Sequence, residues 1–152
     1  MTGNTANNNS GGGISVTLQS PSNTVSGNTV LYNGGDGISV WSGSNGNVIS
    51  GNNASYNTCP AGCPASGSGI QIFYSNDTVV SNNYAVHNTL RGLLTSPYSG
   101  ETLGYCDNTT IGGNVFCDNT AGNMLCDAPQ VDTGGNTCTD GSSCNVYCTA
   151  CP

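Results

Sequence analysis

The sequence predicts an all-β solenoid, a backbone coil that repeats along one axis. The first observation is a fixed period. In the stretch 23–40, NTVSGNTVLYNGGDGISV, the Gly-Asn-Thr triplet, the following Asn and the Gly-Ile-Ser-Val segment each stand 24 residues after the same residues in the preceding copy. The second is strand alternation, because apolar and polar residues take turns in segments such as Ile38-Ser39-Val40. Short strands repeated at such a period are typical of stacked coils.

Later copies keep these landmarks while their spacing changes. The first Asn of the copy moves by 24 again, from Asn28 to Asn52, but the Gly-Ile pair moves by 32, from Gly37 to Gly69. Eight residues are therefore inserted between Asn57 and Gly69. Aligning the copies predicts two columns of asparagine, one formed by Asn4, Asn28, Asn52, Asn83, Asn114 and Asn136 and the other by Asn9, Asn33, Asn57, Asn88 and Asn119.

These columns predict asparagine ladders. Strands of neighbouring coils lie roughly 4.8 Å apart, and at that spacing identical amide side chains hydrogen-bond from one coil to the next. Such a ladder satisfies the polar groups of a turn that is buried inside the solenoid, as a stable fold requires. We therefore interpret the asparagines as structural and not as part of an active site.

The same stretch resembles the parallel β-helix repeat of the pectin-lyase-like superfamily, in which Asn-x-aliphatic and Asn-x-x-x-Gly-Ile mark each coil. The resemblance runs from about Gly3 to about Leu125. It implies a right-handed parallel β-helix of about five to six coils. It says little about activity, because that superfamily includes lyases, glycoside hydrolases, epimerases, phage tailspikes and non-catalytic repeats.

The two ends of the chain are expected to differ. Residues 1–130 are predicted to form the coils, with no amphipathic cap helix before the first one. An uncovered first coil leaves backbone groups unpaired. Three explanations stay open: a truncated fragment, a cap from another chain, or end-to-end stacking of copies into a filament. Residues 131–152 lose the alternation and gain four cysteines, so we predict a cysteine-rich C-terminal cap.

Charge and composition exclude some partners. The 152 residues carry a net charge of −7, with Arg91 as the single basic side chain and no lysine. This argues against nucleic acids and anionic membranes as partners. No signal peptide or transmembrane stretch is recognisable, which predicts a mature form or a fragment.

Nine cysteines predict an oxidising, extracellular setting, either secreted or at the cell surface. A local disulfide between Cys59 and Cys63 is favoured over zinc. Cys148 and Cys151 are interpreted as part of a disulfide-stapled cap, because neither a βαβ context nor a nearby histidine supports a redox or zinc motif. Because nine is odd, one cysteine stays outside any intrachain pair or links two chains. The nine candidates are Cys59, Cys63, Cys106, Cys117, Cys126, Cys138, Cys144, Cys148 and Cys151.

Four sequons are compatible with N-glycosylation of a secreted chain, although a sequence rich in Asn, Ser and Thr also produces them by chance. Their asparagines are Asn8, Asn53, Asn76 and Asn108.

An outward-facing aromatic pair is the first candidate binding site. If Ile38 and Ile70 point inward, strand alternation turns Trp41 and Phe73 outward, one above the other. Such a platform stacks on sugar rings or packs against a protein, unless a long loop covers it. The predicted carbohydrate- or partner-binding residues are Trp41, Gln71, Phe73 and Tyr74.

Catalytic candidates are fewer. Asp36 resembles the Asp-Gly-Ile acids of polygalacturonases, but no second acid stacks on it, so we interpret it as a turn residue. The sequence offers one alternative constellation, His87, Arg91, Tyr56 and Asp118, in which the histidine and arginine suit proton abstraction from an acidic sugar. The histidine also fits a purely structural position in the repeat.

Two functions stay open. The favoured one is an extracellular, non-catalytic β-helix that has a structural role or contacts a polysaccharide or other glycan, with end-to-end assembly into a homo-oligomer or filament. The alternative is a polysaccharide lyase, glycoside hydrolase or epimerase, or the C-terminal part of one, acting on an acidic glycan. No cofactor or metal is predicted, except calcium if the substrate is an acidic glycan.

Overall fold

A computed structural model describes residues 1–59, 66–96, 106–128, 130–139 and 144–152 and shows a parallel β-helix. The strands are short, because each coil turns a corner after two to four extended residues. In chain order they are β1 (Ile14–Val16), β2 (Thr24–Ser26), β3 (Ile38–Trp41), β4 (Val48–Ser50), β5 (Ile70–Phe73), β6 (Val79–Ser81), β7 (Leu93–Ser96), β8 (Thr110–Gly112), β9 (Met124–Leu125), β10 (Val131–Gly134), β11 (Asn136–Thr137) and β12 (Cys148–Thr149).

Odd and even strands separate into two sheets. The first sheet has the order β1-β3-β5-β7-β9 and the second β10-β8-β6-β4-β2, and all neighbours pair in parallel. A third wall consists of single bridges that join Thr5, Thr29, Asn53, Tyr84, Val115 and Thr137 in succession. Each coil therefore contributes one strand to each sheet and one residue to the third wall, which confirms the predicted solenoid.

The core is a thin column of aliphatic side chains inside the coils. Ile38 and Ile70 are paired in register and fully buried, as are Ile49 and Val80 in the other sheet. A further column is also fully buried, and each of its members directly follows a bridged residue of the third wall: Val30, Ala54, Ala85 and Phe116. The larger Phe116 ring fills this column towards the C-terminal end.

Both predicted asparagine ladders are present. In the first column, from Asn4 to Asn136, each Nδ2 donates to the Oδ1 of the next asparagine at 2.8–3.1 Å. The second column has the same bonds from Asn9 to Asn119 at 2.9–3.1 Å. It gains one rung that the sequence did not suggest, because Asn119 donates to Asn123 of the same coil at 3.3 Å.

Glycine precedes β1, β3, β5 and β7 because the next coil approaches the backbone closely there. A Cβ added to Gly37 would lie 2.6 Å from Asn57 Nδ2 and 2.7 Å from the Gly69 carbonyl oxygen. A side chain at this position would therefore displace the second ladder. This close contact explains why the Gly-Ile pair recurs in the sequence.

The stacked arrangement continues past residue 130. β10 pairs with β8 in the second sheet, and β11 pairs with β12. The cysteine-rich segment therefore contains short strands as well as cysteines. The domain boundary at residue 130 stays a prediction.

Three disulfides hold this last part of the chain, pairing Cys117 with Cys151, Cys126 with Cys144 and Cys138 with Cys148. Cys148 and Cys151 thus have separate partners and form no CxxC unit. Cys59 is also disulfide-bonded, whereas its predicted partner Cys63 lies outside the described residues.

Cys106 is buried, and its thiol donates to the Ile72 carbonyl oxygen at 3.4 Å. Within the described ranges, no helix has the length and hydrophobicity needed to span a bilayer.

Candidate functional site

A groove of about 350 Å³ lies on the outer face of the first sheet, across its first two coils. Its floor is β1 and β3, one side is the glycine-rich turn that precedes each strand, and the other is the end of the strands. The lining residues are Gly12, Gly13, Ile14, Ser15, Thr17, Gly35, Asp36, Ser39, Trp41 and Ser66. The lining thus combines hydroxyl groups, one indole and one carboxyl.

The indole belongs to an aromatic pair. Trp41 is in register with Phe73, and their ring centroids are 5.0 Å apart with the planes tilted by 33°. Trp41 keeps 36% of its surface exposed, and Tyr74, which follows Phe73, also keeps 36%. The geometry that strand alternation predicted for Trp41 and Phe73 is present, and it places an accessible ring face at one edge of the groove.

Gln71 is much more deeply buried than Trp41. Its side chain points out of the core, but only 2% of it is exposed. It lies in register between Ser39 and Leu94, and Leu94 is 9% exposed. Outward direction therefore does not by itself mean access to solvent, and a ligand contact of Gln71 stays a prediction.

Hydroxyl groups form the floor of the groove. Ser39 Oγ donates to Ser15 Oγ at 3.1 Å, and these two residues are paired between β3 and β1. Thr17 continues the floor towards Trp41. These side chains supply hydrogen-bond donors and acceptors one strand spacing apart, next to an apolar ring.

Asp36 supplies the carboxyl at the opposite edge. Only 7% of it is exposed, and its Oδ1 accepts the backbone N–H of Ser68 at 2.9 Å. Burial raises the pKa of Asp36 to about 6, although hydrogen bonds from the backbone of Ser68 and Gly67 and from the Ser66 side chain pull it down. The sequence predicted an ordinary turn residue. Its burial could not be predicted, because the residues that bury it come from the inserted segment of the next coil.

Three of the four alternative catalytic candidates, Tyr56, His87 and Asp118, lie in one column at a corner of the coils. Tyr32, Tyr56 and His87 form a stack of exposed rings at a corner of the coils, with centroid distances of 5.0 and 4.9 Å. Together with Asp118 they share a left-handed backbone conformation, with φ of 55–58°. These four residues therefore occupy the same turn of successive coils.

Arg91 lies in another column. The hydrogen bonds from Gly37 to the Ser68 carbonyl and from Gly69 to the Arg91 carbonyl place Asp36, Ser68 and Arg91 at equivalent turns of successive coils. Arg91 is thus two coils away from Asp36 in the column of turns that precede the strands of the first sheet. His87 instead belongs to the corner where Tyr32, Tyr56 and His87 stack.

Metal ligands and glycosylation candidates complete the survey. Among the residues that the structure describes, no three His, Cys, Asp or Glu side chains are grouped to hold a metal ion. Of the sequon asparagines, Asn8 and Asn108 are exposed. Asn53 and Asn76 are half-buried and accept hydrogen bonds from Ser55 Oγ and from the Asp107 backbone, respectively.

Comparison with solved structures finds the same fold. The chain is similar to the periplasmic alginate epimerase AlgG, with a TM-score of 0.73 and 21% identity over 87% of this chain and 31% of that one. A point mutant of AlgG matches with the same TM-score and 20% identity over 97% of this chain and 32% of that one. This chain thus spans about a third of the solved structures it matches. Among curated protein sequences, none is significantly similar.

The sequence comparison agrees with the strand topology. The family described as "right handed beta helix region" matches residues 1–151. This match covers almost the entire chain, and it agrees with the parallel sheets, the asparagine ladders and the resemblance carried by the Gly-Ile repeats. The chain belongs to the right-handed β-helix family.

Proposed function

We propose that this chain is an extracellular, non-catalytic β-helix module that contacts glycans through the groove of the first sheet. The observation that carries the proposal is that Trp41, which packs against Phe73, lines one open groove together with the Ser15–Ser39 hydroxyl pair. A pyranose ring presents an apolar face of C–H groups and a rim of hydroxyls. Aromatic rings suit the first and serine hydroxyls suit the second.

The lining of the groove favours binding over hydrolysis. Glycoside hydrolysis uses two carboxyl groups, about 5–10 Å apart, that flank the scissile bond. Among the described residues that line the groove, Asp36 is the one carboxyl. The stacked Tyr56 and His87 rings pack against each other at a corner, so their faces are occupied by neighbours of the repeat.

The disulfides support an extracellular setting. Three pairs lie within the last 36 residues, and disulfides persist in oxidising compartments. The solved relative AlgG is described as periplasmic, which is also an oxidising compartment.

Fluorescence tests this function directly, because Trp41 is the single tryptophan of the chain. Titration of the protein with a panel of neutral and acidic oligosaccharides should shift the Trp41 emission. Trp41→Ala should weaken binding at least tenfold in calorimetry, since it removes the exposed ring of the platform. Tyr84→Ala, a change of another exposed ring (47%) on the third wall, is the matched control and should bind as wild type. Equal affinity of the two variants would refute the groove as the site.

The alternative function is a lyase, hydrolase or epimerase that acts on an acidic glycan. The raised pKa of Asp36, about 6, favours it because such a group can exchange protons near neutral pH. The likeness to AlgG supports the fold only. Product release from pectate, polygalacturonate or alginate, if lost in His87→Ala or Asp36→Asn, would replace the non-catalytic proposal.

A further inference from the structure

Hydrogen bonds and burial hold the carboxyl of Asp36 in one orientation at the edge of the groove. Its Oδ1 accepts the Ser68 N–H at 2.9 Å, and the Asp36 carbonyl oxygen accepts the N–H of Gly13 at 3.0 Å. Only 7% of the residue is exposed. A charge on this group is therefore held in place, partly desolvated, and felt by any ligand in the groove.

Nothing described around Asp36 neutralises that charge. The coil before it contributes Gly12 and Gly13, and the coil after it contributes Ser66, Gly67 and Ser68, which are all uncharged. The other groove-lining residues are also uncharged. Arg91, the single basic side chain of the sequence, belongs to the equivalent turn two coils further on.

We propose that Asp36 makes the groove selective for uncharged glycans: its carboxylate excludes uronate-containing chains, and its protonated form admits them. The inference rests on the glycan contact proposed above and names the substrate class of that site. An ionised Asp36 accepts hydrogen bonds from sugar hydroxyls but repels a sugar carboxylate at close range. A protonated Asp36 can donate a hydrogen bond to that carboxylate.

The pH at which the selectivity changes follows from burial. The pKa of Asp36 is raised to about 6, whereas free carboxylates in solution titrate near pH 3.3–4.3. Between about pH 5 and pH 7 the protein group therefore changes charge while a uronate stays ionised. A neutral ligand meets a hydrogen-bonding group in both states, so its affinity should depend little on pH in this window.

A pair of hexasaccharides that differ only in charge tests this proposal. Hexagalacturonate and its fully methyl-esterified form are titrated into the whole chain at pH 7.5 and at pH 5.0, with Trp41 fluorescence and calorimetry as readouts. At pH 7.5 the ester should bind at least tenfold more tightly than the acid. At pH 5.0 the ratio should fall to about threefold or less, because the acid binds more tightly.

Two variants locate the effect. Asp36→Asn keeps an acceptor for the Ser68 N–H and should show the low ratio at both pH values. Asp77→Asn removes the same charge from an exposed position whose Oδ1 accepts from Asn108 Nδ2. It should retain the ratio and pH dependence of wild type. Thermal unfolding of each variant shows that it is folded.

The outcomes separate the two proposals. If neither hexasaccharide binds at either pH, the glycan contact at this groove fails and the charge selection fails with it. If both bind with equal affinity at pH 7.5, or if Asp36→Asn leaves the ratio unchanged, glycan contact stands and the selection by Asp36 is overturned. Tighter binding of the acid at pH 7.5 would also overturn it.

Discussion

The first three coils and the C-terminal coil stack by the same backbone geometry but are stabilised by different means. In the early coils, residues such as Asn28 and Asn52 repeat at a spacing of 24, and each amide bonds its counterpart. Near the C-terminus the second ladder ends with a bond inside one coil, in which Asn119 donates to Asn123. Asn123 in turn donates to Thr139 at 2.7 Å. Three disulfides occur in that region.

The difference shows what a repeat provides. Translation by one coil brings identical polar groups into hydrogen-bonding register, so buried turns satisfy each other without any covalent link. Where the second ladder ends, disulfides add stability by restricting the unfolded chain. The early coils should therefore be sensitive to loss of a single amide, and the last coil to reduction.

Removal of Asn52 should have the largest effect. Its Oδ1 accepts from the backbone N–H and Nδ2 of Asn28 at 2.9 and 2.8 Å, and its Nδ2 donates to Val25 and Asn83, both at 2.9 Å. Asn52→Ala leaves several buried groups unsatisfied, at about 1–3 kcal/mol each. We expect a loss of about 4 kcal/mol or more in the free energy of unfolding, measured by denaturant titration.

Asn4→Ala is the control for this effect. Asn4 occupies the same column, but its side chain is exposed at the first coil and donates to Asn28 and to the Thr2 carbonyl. Water can replace these bonds, so we expect a loss of about 1 kcal/mol. Similar losses for the two variants would mean that the ladder does not stabilise the coils through burial.

Opening of one C-terminal disulfide should be the next largest effect. Cys126 and Cys144 are separated by 18 residues, and a loop of this size contributes about 3 kcal/mol. In a variant with both residues changed to Ser, hydrogen exchange should accelerate in residues 126–152 and stay slow in the strands of the early coils. Uniform acceleration over the whole chain would contradict the division into two regions.

Asp36→Asn should stabilise the protein at neutral pH. The pKa of Asp36 rises from 3.8 to about 6 on folding, so the folded state binds the proton more tightly and wild type loses stability as the pH rises from about 4 to 6. The amide mimics the protonated acid and should add about 1–3 kcal/mol at pH 7.5. Wild type and variant should converge near pH 4, and a constant difference from pH 4 to 7.5 would show that burial of the charge is not the cause.

Tyr56→Ala should have the smallest effect. Tyr56 stacks between Tyr32 and His87 at 5.0 and 4.9 Å, but it is 39% exposed and lies outside the core. An aromatic pair contributes about 0.5–1.5 kcal/mol, so we expect a loss of about 1–2 kcal/mol in thermal or chemical unfolding. A loss as large as that of Asn52→Ala would mean that this outer column stabilises the coils as strongly as the inner ladder.

The local repeat determined the fold from sequence. The period and the alternation around Ile38 and Val40 specify coils and inward faces, and the asparagine columns specify the register. Trp41 and Phe73 were therefore placed one above the other correctly. Each of these inferences uses a residue and its own copy in the next coil, and translation along the axis preserves that relation.

Contacts that do not follow the repeat could not be predicted from the sequence. The contacts that bury Asp36, the pairing of the cysteines and the extra rung at Asn123 all join residues whose spacing in the sequence is irregular. The sequence alone determined that amides and aliphatic side chains would stack into a solenoid, since each coil repeats the last one. Only the tertiary structure decided that the Asp36 carboxyl is buried at the groove, because the inserted segment that contributes Ser66, Gly67 and Ser68 has no counterpart in the repeat.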